Sequence, residues 1–274
     1  MRAIETRNSY CATVSFVLDV LLTKERKLRA WQKMAGYLNR YCVDFLDLSG
    51  SEAVLSVGIG EASLEADILR RFSGLELMGV DINPHSLKQA KEWEKLGLAS
   101  LLFRADGAAL PFPSERFDVV YCRNVLKHAG DNTAFISEMC RVIRPGGKVV
   151  VIETVALDSD HQSFLNKVAA IVEERQGRFL LDGELFSFLD RIVKEKGFQP
   201  DKRWDQSVFS FVGADYLGNL GIARNDTRAQ QVLDLYRTEL PPILLDSVAF
   251  LPSRENPWDV WSEQVWGFWS AFKK

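Results

Sequence analysis

The sequence predicts an α/β fold: a seven-stranded, mostly parallel sheet with helices on both faces, an N-terminal helical cap, and an insertion before the last strand. Three observations predict it. Apolar runs of strand length alternate with helical periodicity from Ala53 onward; the first run, Val54 to Val57, enters a turn with Gly58 and Gly60; and the second ends at a carboxylate, Asp81. Strand, glycine turn, helix and acid-tipped strand make the half of a doubly wound sheet that takes an adenosine-containing cofactor.

The elements follow in order. Residues 1–48 form the cap: Tyr10, Val14, Val17, Leu18, Leu21 and Leu22, then Leu28, Trp31, Met34, Leu38, Tyr41, Cys42 and Phe45, recur mostly at steps of three and four and predict two amphipathic helices. Residues 50–215 form the core. Strands are expected at 53–57, 75–80, 100–104, 117–122 and 148–155, apolar throughout as strands covered on both faces should be. Helices are expected between them at 64–72, 84–96 and 132–143, the second with Pro84 in its first turn, where the missing N–H costs nothing. Two more helices are read at 158–176 and 182–196, the latter stopped by Gly197. The last two strands are read at 206–213 and 247–251, leaving 216–245 as an insertion with a helix from Thr227 to Leu240 ended by Pro241-Pro242.

In the final segment, 246–274, Trp258, Trp261, Val265, Phe268 and Phe272 recur at steps of three and four, widened by Trp266 and Trp269. This aromatic stripe is expected to pack on its own chain or, in a homodimer, on a second copy. The chain as a whole, 1–274, is expected to be a single domain.

Composition excludes some functions. With 47% hydrophobic residues among 274, the chain can bury a large core without disulfide or metal staples. Thirty-four basic residues against thirty-seven acidic give a net charge of −3, which disfavours a nucleic-acid partner. Cys11, Cys42, Cys122 and Cys140 form no metal-ligand pattern and sit in apolar runs, so no metal is expected and the thiols fit a reducing, cytoplasmic setting. The apolar run from Cys11 to Leu22 is broken by Thr13, Ser15 and Asp19, which suits neither a signal peptide nor stable membrane insertion.

Details separate the cofactor classes. The dinucleotide turn takes a third glycine where this chain has Ser63. Further on come Arg104-Ala105-Asp106-Gly107, Leu110-Pro111-Phe112, Phe117-Asp118-Val119-Val120 and Arg141-Val142-Ile143-Arg144-Pro145-Gly146-Gly147. In order and spacing, residues 50 to 155 resemble the class I S-adenosylmethionine-dependent methyltransferases. The resemblance implies a Rossmann-like core, S-adenosyl-L-methionine as cofactor, and a small-molecule acceptor. It also implies site roles. Gly58 and Gly60 would let the backbone approach the cofactor. Asp81 would hold the ribose, Ile82 beside it would belong to the cofactor site, and Asp106-Gly107 would sit by the adenine. Ser56, Arg123 and Asn124 would lie near the methionine portion. A helix cap for Asp81, a turn role for Asp106 and a loop-stabilising amide for Asn124 are the alternatives. The chain departs from the family pattern at Ser56, where many members carry an acid, and at Ala62, where many carry a third glycine. In its serine and its late insertion it is similar to histamine N-methyltransferase.

Methyl transfer from a sulfonium is an in-line displacement, so the protein mainly orients the nucleophile and excludes water. His128 and His161 are the candidate general bases, His161 with solvent exposure as its alternative. Tyr10, Trp31 and Asn124 are the candidate substrate contacts. Nucleic-acid bases are disfavoured as acceptors, because Arg123-Asn124-Val125-Leu126 stands where an Asn-Pro-Pro-Tyr type motif would be. The alternatives are a cyclase-like reaction or a scaffold role on the same fold.

Overall fold

The computed structural model describes residues 36, 38–96, 101–172, 182–212, 226–239, 241, 249–250 and 260–274. Two compact units divide the chain: Leu38–Val155 with Arg178–Gln206 and Val265–Lys274, and Met1–Tyr37 with Ala156–Gly177 and Ser207–Gln264.

The elements, in chain order, are α1 (residues 38–46), β1 (Ala53–Val57), α2 (Ser63–Arg71), β2 (Glu76–Asp81) and α3 (Pro84–Ala90), the last followed by a 3-10 segment, Lys91–Leu96. Next come β3 (Leu102–Arg104), β4 (Phe117–Arg123), α4 (Asn132–Arg141), β5 (Ile143–Val155), α5 (Ser159–Val172) and α6 (Asp182–Glu195). The chain ends with β6 (Phe198–Val212), α7 (Thr227–Thr238), β7 (Ala249–Phe250) and β8 (Val260–Lys273). Local chemistry sets several of these boundaries. Asn83, Asp131 and Asp226 each accept backbone N–H bonds at the start of α3, α4 and α7, and Gly197, at φ 81, ends the turn after α6.

The strands run β3-β2-β1-β4-β5-β8-β6, with the short β7 hydrogen-bonded to β8. β1 to β5 are parallel to their neighbours, whereas β8 is antiparallel to β5, from Lys148 opposite Phe272 to Val155 opposite Val265. The order therefore reverses between β1 and β4, the switch point at whose carboxyl edge doubly wound sheets bind ligands. Register also assigns faces. Ser56, Tyr121 and Val150 form one row; Arg123, Ile152 and Phe268 form the next; Thr154 and Trp266 pair above them. Phe268 on this face meets Phe45 of α1 edge to face, with centroids 5.4 Å apart. Trp269 on the other face donates its indole N–H to Asp190 of α6 at 2.9 Å. At Phe268 and Trp269 the two faces of β8 are thus each covered by a helix.

That strand corrects the reading of the tail. From Trp261 onward the aromatic stripe is not helical: it is the last strand of the sheet, and residues 266–271 are all buried. Those residues offer no face for a homodimer. Because both faces are buried, β8 lacks the two-residue contrast that would have marked it as a strand, and aromatic spacing imitated a helix. Of the strand expected at 247–251 the described residues are Ala249 and Phe250, which form β7, and β6 begins at Phe198, eight residues before its expected start at 206. Pro145, Gly146 and Gly147 lie within β5, whose pairing with β4 shifts register there. The first cap helix and the amino-terminal part of the second lie outside the described residues.

In the other unit, Phe164 of α5 and Tyr236 of α7 pack edge to face at 4.8 Å, and Lys167 pairs with Glu239.

The entry to β1 depends on a carboxylate. Glu52 accepts the backbone N–H groups of Ser49, Gly50 and Ser51 at 2.6, 2.9 and 3.0 Å. Partial burial alone would raise its carboxyl; these bonds outweigh that and bring its pKa down to about 2 from 4.5. A depressed carboxyl stabilises the fold above its unfolded pKa and stops doing so as pH falls through the folded one. Glu52→Gln is accordingly expected to cost about 1 kcal/mol at pH 7, after allowance for solvent screening. In thermal unfolding followed from pH 7 downward, the gap between variant and wild type should close between pH 4.5 and about 2. A gap independent of pH would show that the carboxylate charge is not what orders the loop.

Candidate active site

At the switch point, the chain leaves β1 through Gly58 at φ 76 and Gly60 at φ 58, a left-handed region that residues with a Cβ enter at a cost. The N–H groups of Gly58 and Ile59 both bond Val80 O, at 2.8 and 3.0 Å, which folds the turn over the end of β2. Asp81 completes the closure. One carboxylate oxygen accepts Gly60 N–H at 2.9 Å and the other accepts Asn83 N–H at 2.8 Å. The cap of α3 is Asn83, which accepts His85 N–H, so the capping alternative belongs to that neighbour.

The two glycines have different reasons to be bare. A Cβ on Gly60 would meet nothing within 4 Å, whereas one on Gly58 would sit 2.5 Å from Val125 Cγ2. Gly58 therefore admits a side chain of the β4–α4 loop, and only Gly60 faces open space. Gly107 is likewise a packing position, since its Cβ would lie 2.1 Å from the Phe135 ring. Ala62, where a third glycine was expected by resemblance, keeps the left-handed backbone at φ 61. No side chain caps α2, which starts there, so the amino end of that helix lacks the side-chain bond present at α3, α4 and α7.

Asp106 is exposed and accepts Ala108 N–H at 2.9 Å, a turn-forming bond. Ile82 is the most exposed large apolar residue among those described, at 62%. Ser56, by contrast, is buried, and its hydroxyl donates to Glu65 Oε1 at 2.7 Å, as does the Tyr121 hydroxyl at 2.5 Å. Desolvation, reinforced by the Glu65 charge, pushes the Tyr121 phenol well above its ordinary range, so it stays a donor. Arg123 is committed as well, donating to Asn39 Oδ1 of α1 at 2.6 Å and to Ser63 Oγ at 3.2 Å.

Asn124 has the left-handed φ of 59, and its N–H bonds Ile152 O at 2.8 Å. Its side-chain oxygen accepts from both Lys127 Nζ and Thr154 Oγ1, which leaves the amide nitrogen as the group with donors to offer. The loop carrying it hangs on Glu153, which is fully enclosed and accepts Leu126 N–H at 2.8 Å and Thr154 N–H at 3.2 Å. Burial pushes the Glu153 carboxyl up, opposed by the Lys127 ammonium and the loop N–H groups.

The histidines part company. His128 is exposed on the β4–α4 loop, with its N–H on Val125 O. His161 belongs to the other unit and is 1% exposed, not solvated; its Nδ1 accepts Leu157 N–H at 3.3 Å. Tyr10 and Trp31 lie outside the described residues. Sequence reading missed Glu65, Val125, Lys127 and Glu153. Of these Glu153 gave a signal, a lone acid in the apolar run Val149 to Val155.

Residues 55–151 match a family described as a methyltransferase domain. That stretch carries a methyltransferase domain. A demethylmenaquinone methyltransferase of Thermus thermophilus is 32% identical over 115 residues, 42% of this chain and 52% of that protein. The chain thus spans about half the length of the curated relatives it matches. Among solved structures, geranyl diphosphate C-methyltransferase from Streptomyces coelicolor A3(2) superposes with a TM-score of 0.61 at 13% identity, covering 91% of this chain and 83% of that one. The [4+2]-cyclase SpnF superposes at 0.60 with 17% identity, covering 89% and 83%. At such identities the structures establish the methyltransferase fold alone. No helix among the described residues is long and apolar enough to cross a membrane.

In this methyltransferase domain the Gly58–Val125 contact couples the glycine turn to the β4–α4 loop. Gly58→Ala is expected to destabilise by about 2 kcal/mol, through both the backbone and the clash. Gly60→Ala should cost about 1 kcal/mol, for backbone conformation alone. Adding Val125→Ala to Gly58→Ala should recover part of the loss in denaturant unfolding, and strict additivity would exclude the contact as the cause.

Proposed function

We propose that the chain binds S-adenosyl-L-methionine and transfers its methyl group to oxygen, nitrogen or carbon of a small-molecule acceptor, in the cytoplasm. The observation that carries this is Asp81, held by two backbone N–H groups at the carboxyl end of β2, beside the bare turn at the sheet's switch point. Each of its oxygens keeps a lone pair, enough to accept from the two hydroxyls of a ribose. The residues around it fit the rest of the cofactor. Open space at Gly60 admits the ribose and methionine chain, the uncapped start of α2 suits a carboxylate, and exposed Ile82 offers an apolar surface to the adenine. Asp106 keeps an oxygen for an exocyclic amine beside the one bonded to Ala108.

When bound, the sulfonium supplies an electrophilic methyl group. The protein's own part is orientation and dryness. Asn124 presents its amide N–H groups at the end of β4, since its carbonyl is occupied by Lys127 and Thr154. His128, on the same loop, is the base available to a hydroxyl acceptor; a neutral amine needs none. Ser56 acts through Glu65 instead of touching cofactor, as its hydroxyl is already given to that carboxylate.

Calorimetry with S-adenosylmethionine tests the reading. Binding in the micromolar range is expected, and Asp81→Ala should weaken it ten-fold or more, because the diol loses its acceptor and the turn loses its tie. No binding at high micromolar cofactor would leave only a scaffold role. Methyl-labelled cofactor with candidate acceptors separates methylation from a cyclase-like reaction, in which the label stays on the cofactor.

A further inference from the structure

The indole N–H of Trp266 is buried and has no hydrogen-bond acceptor among the described residues, although the residue is only 7% exposed. Such an orphaned donor is costly inside a protein and calls for an explanation. Its place supplies one. Trp266 pairs across β5 and β8 with Thr154, so both side chains leave the sheet on one face at its carboxyl edge, and the Thr154 hydroxyl holds Asn124 at 2.7 Å. Trp266 thus stands about 10 Å, two strand spacings, from the end of β4, on the side away from the glycine turn. That separation is too great for the cofactor's ribose held at β2 and right for a molecule lying beyond the methyl group.

We propose that Trp266 is a specificity residue of the acceptor site, donating its indole N–H to a neutral oxygen on an apolar, ring-sized acceptor. The surroundings select that chemistry. Below Trp266 on the same face lie Phe268 and Ile152, both enclosed in the core with Phe45 packed on Phe268, so the floor beneath the indole is apolar. The nearby cations are committed: Arg123 to Asn39 and Ser63, Lys127 to Asn124. Among the described residues a carboxylate or phosphate would therefore meet one neutral donor and no released charge, whereas a hydroxyl, ether or carbonyl oxygen is matched by it. The other buried side-chain polar atom without a partner among the described residues, Asn132 Oδ1, is an acceptor at the start of α4 and shares none of this register.

The proposal rests on the cofactor reading above, and its test keeps the two apart. The full chain is first saturated with S-adenosylhomocysteine, then titrated with 1-naphthol and with 1-methylnaphthalene, which has the same shape without the oxygen. Trp266→Phe should bind 1-naphthol about five-fold more weakly than wild type and 1-methylnaphthalene equally well, with the affinity for S-adenosylhomocysteine unchanged. In wild-type protein labelled with nitrogen-15, the indole resonance that the variant lacks should move downfield with 1-naphthol and not with the methyl analogue. That readout does not depend on the variant folding. A stationary resonance, equal loss for both compounds, or failure of 1-naphthol to bind the S-adenosylhomocysteine complex overturns the role of Trp266 alone. Failure to bind S-adenosylhomocysteine overturns the cofactor reading and this proposal together.

Discussion

The site depends on one short-range constraint: the Asp81 carboxylate ties the glycine turn after β1 to the start of the segment after β2. Without it, Gly60 N–H and Asn83 N–H would each need another partner, and two adjacent loops at the carboxyl edge would lose their common anchor. The bonds from Gly58 and Ile59 to Val80 O hold the same turn from the backbone side. A carboxylate fixed in this way has its remaining lone pairs pre-aimed, so a ligand meets a formed acceptor and the ordering cost is met at folding.

Carboxylates on backbone N–H groups recur wherever a loop must stay in place. Glu52 gathers the turn before β1, Asp118 of β4 accepts Ala53 N–H at 2.9 Å, and Glu153 of β5 holds the β4–α4 loop. The first two act at the amino end of the strands, where they serve stability. Asp81 and Glu153 act at the carboxyl end, where the same bond positions a functional loop. Glu65 does something different, gathering the hydroxyls of Ser56 and Tyr121 beneath α2. A carboxylate delivered from the helix stands beside the serine found where many family members carry an acid on the strand, so the departure seen at Ser56 does not empty that region of negative charge.

Legibility in the sequence followed the range of the interactions. The parallel strands β1 to β4 and most helices could be read within a few residues, because their patterns come from local periodicity, caps and glycine stops. Asp81 was legible too, as the acid at the tip of an apolar run. Val125 against Gly58 and Thr154 against Trp266 were not, since each pairs residues distant in the chain whose types are unremarkable alone; Glu65 against Ser56 was not either, because it depends on how α2 packs on β1. β8 was misread for a related reason: a strand covered on both faces shows no alternation, and aromatic residues crowd both of its sides.

The sequence by itself determined the doubly wound core, the glycine turn with its acid partner, and the kinship with methyltransferases, all of which reside in contiguous motifs. Tertiary structure alone decided which glycine faces open space, which polar side chains are already spent, and that the tail from Val260 is the sixth of seven strands in the main sheet order. Those outcomes depend on strand register, which brings residues more than a hundred positions apart side by side and leaves no trace in local pattern.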